Sequence, residues 1–245
     1  MYLRRAFLLI ASSVLLCGFG FVQVQLDPAA RQRIVSVGVA PVAVPAAQVR
    51  VRGNQSIGGL IVAGLNIAAD KKLEAIMSGG YDYRKAVPDG IVRALNSAGF
   101  IATQLPGDRG KSGHDGFLKE IPTDAGVDAV LDVYVESLGF WARSATSDYQ
   151  AGCHLVVRLV DPGTNQVLFQ KQIIHGPVAP ASGRAVVLRD PVPQTFADQD
   201  AMQANYSGTR AALKLAIDTV IAELGRQLGE PPPPPPPRKL PGSME

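Results

Sequence analysis

The chain has 245 residues, 47% of them hydrophobic and 6% aromatic, with a formal net charge of +3. That apolar fraction is ample for a core, and roughly 220 residues beyond the leader fit one domain, with two small ones as the alternative. The charge is small and scattered, without an arginine or lysine cluster interleaved with aromatics, so a nucleic-acid partner has no electrostatic footprint; few aromatics also argue against a sugar-stacking platform.

Residues 1–26 read as an export leader or anchor. Arg4 and Arg5 precede an uncharged apolar run over 6–22, the pattern of a signal segment. At 17 residues the run sits at the lower edge of what a membrane-spanning helix needs, about 17–25. No small-x-small cleavage site follows it. Cys17, with Gly18 after it and Val14, Leu15 and Leu16 before it, is the candidate lipidation residue. Leu16 departs from the small residue that the processing peptidase takes. Three readings stay open: acylation at Cys17, an uncleaved anchor, and simple secretion. In the first two the chain is tethered to a membrane, a diacylated cysteine being a two-chain anchor. Cys153 is then without a disulfide partner and reads as a buried small hydrophobe.

Residues 27–229 are expected to form a single α/β domain. Val35, Val37 and Val39 alternate with smaller residues and give a first strand ended by Pro41. Residues 43–53 are loop or edge strand. A Gly/Ala-rich helix is expected over 58–77, serving either close packing or a membrane-touching face. Pro88 suits the first turn of another helix, with Val87, Ile91 and Leu95 on one stripe and Gly99 at its end. A strand follows over 100–105 and a flexible loop over 107–115. The alternation over 127–138 predicts the clearest strand, with Leu131, Val133 and Val135 on one face and Asp132, Tyr134 and Glu136 on the other. Residues 140–150 read as a connection. Leu155, Val157 and Leu159 face inward on the next strand, with His154 and Arg158 outward. Asp161-Pro162-Gly163-Thr164-Asn165 fits a type II turn, and 167–174 returns as partner strand. The three strands make an antiparallel meander with one solvated face. After a long loop over 176–199, Leu213, Ile217, Val220, Leu224 and Leu228 mark a core-facing helix over 200–228. The fold class is α/β: a mixed sheet with an antiparallel meander, helices mainly on one face and a C-terminal helix. Residues 230–245 form a proline-rich tail. The seven prolines of 231–237 favour polyproline II at about 3.1 Å per residue, as a disordered terminator or as a docking segment.

Catalytic chemistry finds little support. Gly110-Lys111-Ser112 imitates part of a phosphate loop, but Leu105 stands where the first glycine belongs and no helix follows directly. Of His114, His154 and His175 none has a second ligand at metal spacing, and Cys153 and His154 point to opposite faces of a strand. Asp132 and Glu136 lie roughly 13 Å apart on one face, beyond the span of paired glycosidase carboxylates, and read as a solvated strand face. No nucleophile elbow is present. No catalytic residue, metal or cofactor is therefore expected. Trp141, the sole tryptophan, sits with Phe140 in the connection. The pair is either a hinge anchor on the sheet edge or a partner-binding contact.

Several features together carry a resemblance: the leader with Cys17, the Val-Gly-Val-Ala-Pro strand, the Gly-Gly-Leu-Ile-Val-Ala helix, Asp128-Ala-Val-Leu-Asp-Val-Tyr-Val, and the strand running from Leu159 through Asp-Pro-Gly-Thr-Asn to Phe169. Over about residues 34–228 the chain resembles the uncharacterised proteobacterial envelope lipoproteins. These are similar in layout to the lipoproteins that activate penicillin-binding proteins, to the N-terminal domain of the Tol-system propeller protein, and to the periplasmic domain of the curli-secretion channel. The resemblance implies a non-enzymatic, membrane-anchored module on the periplasmic side of the envelope, preferably at the outer membrane, that binds another envelope protein. An oligomeric secretion or channel component and an auxiliary lipoprotein of a transporter are the alternatives. Homo-oligomerisation is compatible with each.

Overall fold

The computed structural model describes residues 21–51, 59–144, 146–178 and 185–229, of which 59–67 by backbone alone. Cys17 and the proline run lie outside the described residues. In chain order the elements are α1 (Pro28–Arg33), β1 (Ser36–Val39), β2 (Gln48–Val51), α2 (Gly59–Ser78), α3 (Tyr83–Ser97), β3 (Ile101–Gln104), β4 (Ala129–Ala142), β5 (Tyr149–Val160), β6 (Val167–His175), β7 (Val186–Leu188), β8 (Thr195–Phe196), α4 (Gln199–Ala204) and α5 (Tyr206–Gly229).

One mixed sheet runs β3-β1-β4-β5-β6-β7. β1 lies parallel to both β3 and β4, and β4, β5 and β6 form the antiparallel meander. β2 adds in parallel to the far end of β4, β8 pairs with β5, and β7 with β6. The fold class is the expected one. On the front face Leu131, Val133, Leu155, Val157, Leu159 and Ile173 pack in one cluster with Val87, Ile91 and Leu95 of α3 and with Leu213, Ile217, Val220 and Leu224 of α5. Two periodicities thus meet, two along the strands and 3.6 along the helices. α3 and α5 approach closely because Gly225 faces Ala94; a Cβ there would sit 3.1 Å from the Ala94 carbonyl oxygen.

Several local expectations change. α3 starts five residues before Pro88, because the Asp82 carboxylate caps it by accepting the Arg84 and Lys85 amides; Pro88 lies inside the helix. β4 continues through Phe140 and Trp141, which were expected in a connection. The turn after β5 is not type II: the positive φ (57°) falls on Asn165 rather than Gly163. There the Asp161 carboxylate accepts the Gly163 and Thr164 amides and holds the turn in another form. The loop over 176–199 carries β7 and β8. The C-terminal helix is interrupted at Asn205, dividing it into α4 and α5. α1, too short to show a period, is capped by Asp27, which accepts the Ala29 and Ala30 amides.

The largest departure concerns the back face. It was expected to be solvated, yet Asp132 and Val156 are 0% exposed and His154 1%. The sheet is covered on both sides, and over its β4–β5 corner the cover is an irregular segment, residues 105–128.

Candidate functional site: a clamped loop on the back of the sheet

Asp132 stands in β4 with its side chain on the back face and no exposure. Its Oδ1 accepts from Arg109 Nη2 at 2.9 Å; its Oδ2 accepts from Arg158 Nη2 at 3.0 Å and from the Leu118 backbone N–H at 2.7 Å. A carboxylate in a dry site needs such compensation, because an unpaired charge there is strongly unfavourable. Arg158 comes from the paired position of β5, directly across the ladder. Arg109 comes from the loop, and its guanidinium also donates to the carbonyls of Pro41, Val133 and Gly116 at 2.8, 3.1 and 3.0 Å. The stretch expected to be a flexible loop is therefore tied to two strands.

Around this ion cluster the loop is built inward. Phe117 is 1% exposed, with the Arg158 guanidinium 4.5 Å above its ring and Tyr134 edge-on at 5.3 Å. Cation–π and edge-to-face contacts of this kind add to the burial of the ring. The Tyr134 hydroxyl donates to the Asp115 carbonyl at 2.7 Å. Burial, with Glu136 and Asp115 nearby, pushes that phenol up to about 12, so it stays a donor at neutral pH. Gly116 has φ +82°, and a Cβ there would meet the Tyr134 ring at 2.6 Å, so glycine is required by both conformation and space. Leu118 packs with Ala40 and Val130 in a small apolar cluster. At the loop's end the Asp128 carboxylate accepts the Val35 and Ser36 amides at 2.9 and 2.8 Å, bonds that hold it below the usual carboxylate range.

The outer side of this loop borders an open cleft of about 760 Å³, where Pro41, Leu105, Pro106 and Leu118 stand among Lys111, Lys119 and the acidic Asp108, Glu120 and Asp124. Apolar walls carrying a few charged heads suit the docking of a protein segment. The clamp, with Asp132 accepting from three donors, fixes the loop that forms one wall of this cleft.

The other residues singled out from sequence fall elsewhere. Phe140 is 0% exposed and edge-on to Phe196 at 5.6 Å, so it offers a partner no surface. Trp141 is half-buried in β4, opposite Gln150 of β5 and Arg50 of β2. Cys153 is buried in the front-face core, and burial pushes its thiol up to about 12. His154, expected to point outward, is buried with its Nδ1 3.1 Å from Glu136 Oε2. Burial pushes this imidazole down to about 4, against a hydrogen bond with Gln172 that raises it, so it is neutral at pH 7 and forms no ion pair with the carboxylate. Among the described residues no three His, Cys, Asp or Glu side chains group as metal ligands, and no helix is long and apolar enough to cross a membrane.

No family model and no curated protein matches the sequence. In three dimensions the chain is similar to a DUF330 protein of Xanthomonas campestris, with 15% identity and TM-score 0.44, over 84% of this chain and 90% of that one. It is similar to the PelC dodecamer of Paraburkholderia phytofirmans, with 12% identity and TM-score 0.37, over 86% and 97%. Lipoprotein GNA1162 of Neisseria meningitidis matches with 15% identity and TM-score 0.28, over 57% and 81%.

Proposed function

We propose that the chain is a membrane-tethered, non-enzymatic binding module of the bacterial envelope, and that loop 105–128 is the surface it presents to a protein partner. The observation that carries this reading is the clamp: a fully buried carboxylate in the sheet takes two guanidiniums and a loop amide, and thereby fixes a long irregular segment. Loops beyond about 12–15 residues without secondary structure are uncommon in compact domains and are usually functional. A rigid loop also loses little conformational freedom on binding, which favours affinity. The tether is supported by the leader, with Arg4 and Arg5 before an apolar run that contains Cys17. The partner class follows the sequence resemblance: another protein of an envelope machine at the outer membrane, with a transporter or secretion assembly as the alternative.

Photo-crosslinking in native envelopes tests the proposal. A photoreactive residue at Lys111 or Lys119 should give a reproducible crosslinked species that the same residue at Lys85, on exposed α3, does not. Identical patterns from all three positions would count against the loop as interface.

A second reading, self-association, is favoured by the outer edge of β3, which pairs with no further strand among the described residues and where Ile101 is 64% exposed next to Val35 at 54%. An unpaired, apolar edge is a template for strand addition. Light scattering of the detergent-solubilised chain decides it, a strictly monomeric mass arguing against it.

A further inference from the structure

At the opposite end of the strands from the clamp lies a small cleft of about 130 Å³ lined by groups that the loop does not use. Arg143 follows β4 and Arg189 follows β7, so the two arginines line the same cleft from strands separated by β5 and β6. Both side chains are exposed, and neither has a hydrogen-bond or ion-pair partner among the described residues. Between them His175 ends β6. It is 3% exposed, and neither ring nitrogen has a hydrogen-bond partner although Nε2 lies 3.1 Å from Asp190 Oδ1. Gln150 adds an amide to the lining.

Two arginines and a single carboxylate, Asp190, line the cleft, so it is net positive and rich in N–H donors. Buried polar nitrogens without partners are rare in folded proteins and ask for an explanation such as a missing ligand. We infer that this cleft binds a phosphate group. Arginine forks match phosphate oxygens bidentately and supply charge that a neutral donor set does not. The volume sets the size: an engineered cavity of about 150 Å³ holds one benzene, so a phosphate fits while a sugar or base attached to it has to stay outside. Leu215, half-exposed on α5, lines the same cleft and gives the organic part of an ester an apolar neighbour. The phosphate is either the free ion or the headgroup of a phospholipid. The inference is independent of the role proposed for loop 105–128.

Calorimetric titration of the full chain in a neutral detergent tests this, first with inorganic phosphate and then with a soluble dihexanoyl phosphatidic acid. The variants are Arg143→Gln/Arg189→Gln and, as an equal change of charge on other exposed surface, Lys71→Gln/Lys85→Gln. Neither arginine is used inside the fold, so thermal unfolding of the first variant should match the parent. Saturable binding of inorganic phosphate that weakens about tenfold for each arginine removed, and less than twofold in the lysine variant, supports a free-phosphate site. Binding of the lipid alone with the same dependence supports a headgroup site. Absence of both, equal weakening in the two variants, or acetate binding as tightly as phosphate overturns the inference.

Discussion

Replacing Asp132 with asparagine removes one charge and almost no volume, and it isolates the clamp. The carboxylate accepts three hydrogen bonds at 2.7–3.0 Å, two of them from guanidiniums whose side chains are 13% and 15% exposed. The amide retains one acceptor and turns an N–H₂ toward a cation, leaving two buried guanidiniums without a counter-charge. Removing one partner from a buried ion cluster costs about 3–5 kcal/mol. Urea unfolding followed by the fluorescence of Trp141, the single tryptophan, measures the loss. Hydrogen exchange localises it: the Leu118 amide, held by Asp132 at 2.7 Å, should lose protection out of proportion to the amides of α5. A loss below about 1 kcal/mol, the range of exposed ion pairs, would refute the reasoning, because the cluster would then behave as a solvated surface pair.

The buried His154 gives a pH dependence. Its imidazole titrates near 6.5 in the unfolded chain and at about 4 in the fold. Protons therefore bind the unfolded state preferentially between those values, and stability falls as pH drops through that window, by about 3 kcal/mol at most. Glu136, whose carboxyl burial raises, offsets part of this. His154→Gln should flatten the slope between pH 6.5 and 4; an unchanged slope would assign it to other groups. Asp128 and Asp161, both held below 3.8, contribute stability that is lost only at still lower pH. Gly139→Ala should destabilise by at least about 3 kcal/mol, since φ is +144° and the new Cβ would lie 1.8 Å from the Gln48 carbonyl oxygen; thermal unfolding checks it, and a change under 1 kcal/mol would mean β2 does not pair there. Intact mass of the chain from its native envelope should show a mature start at Cys17 with added acyl mass, absent in Cys17→Ala. A chain starting at Met1 would mean that Leu16 blocks processing and the leader is an uncleaved anchor.

The parts of the fold that repeat were legible. The alternation of β4 and the stripe from Leu213 to Leu228 encode their own buried faces, and both are buried as expected. The clamp was not legible for a physical reason. Period two tells that Asp132, His154 and Arg158 share the face opposite Leu131 and Leu155, but not that irregular chain covers that face. The available signal was weak: Asp132 and Arg158 are opposite charges on adjacent strands of a predicted meander, and Arg109 and Phe117 sit in a loop too long to be a plain connection. Pro88 misled because a proline suits a first turn, while Asp82, an equally good cap, lay outside the expected helix. Phe140 and Trp141 were placed in a connection because the strand was read only as far as Leu138. The strand runs on through Gly139, which pairs with Gln48 of β2 so closely that a Cβ has no room.

The central claim, a partner bound through a loop that Asp132 holds in place, is tested most directly by photo-crosslinking from position 119 in native envelopes, in the parent chain beside Asp132→Asn. A discrete crosslinked envelope protein in the parent, lost or dispersed in the variant while the variant stays folded and at the same level, is the predicted result. The same species at the same yield from both chains would contradict the account, because the partner would then be bound without the clamp.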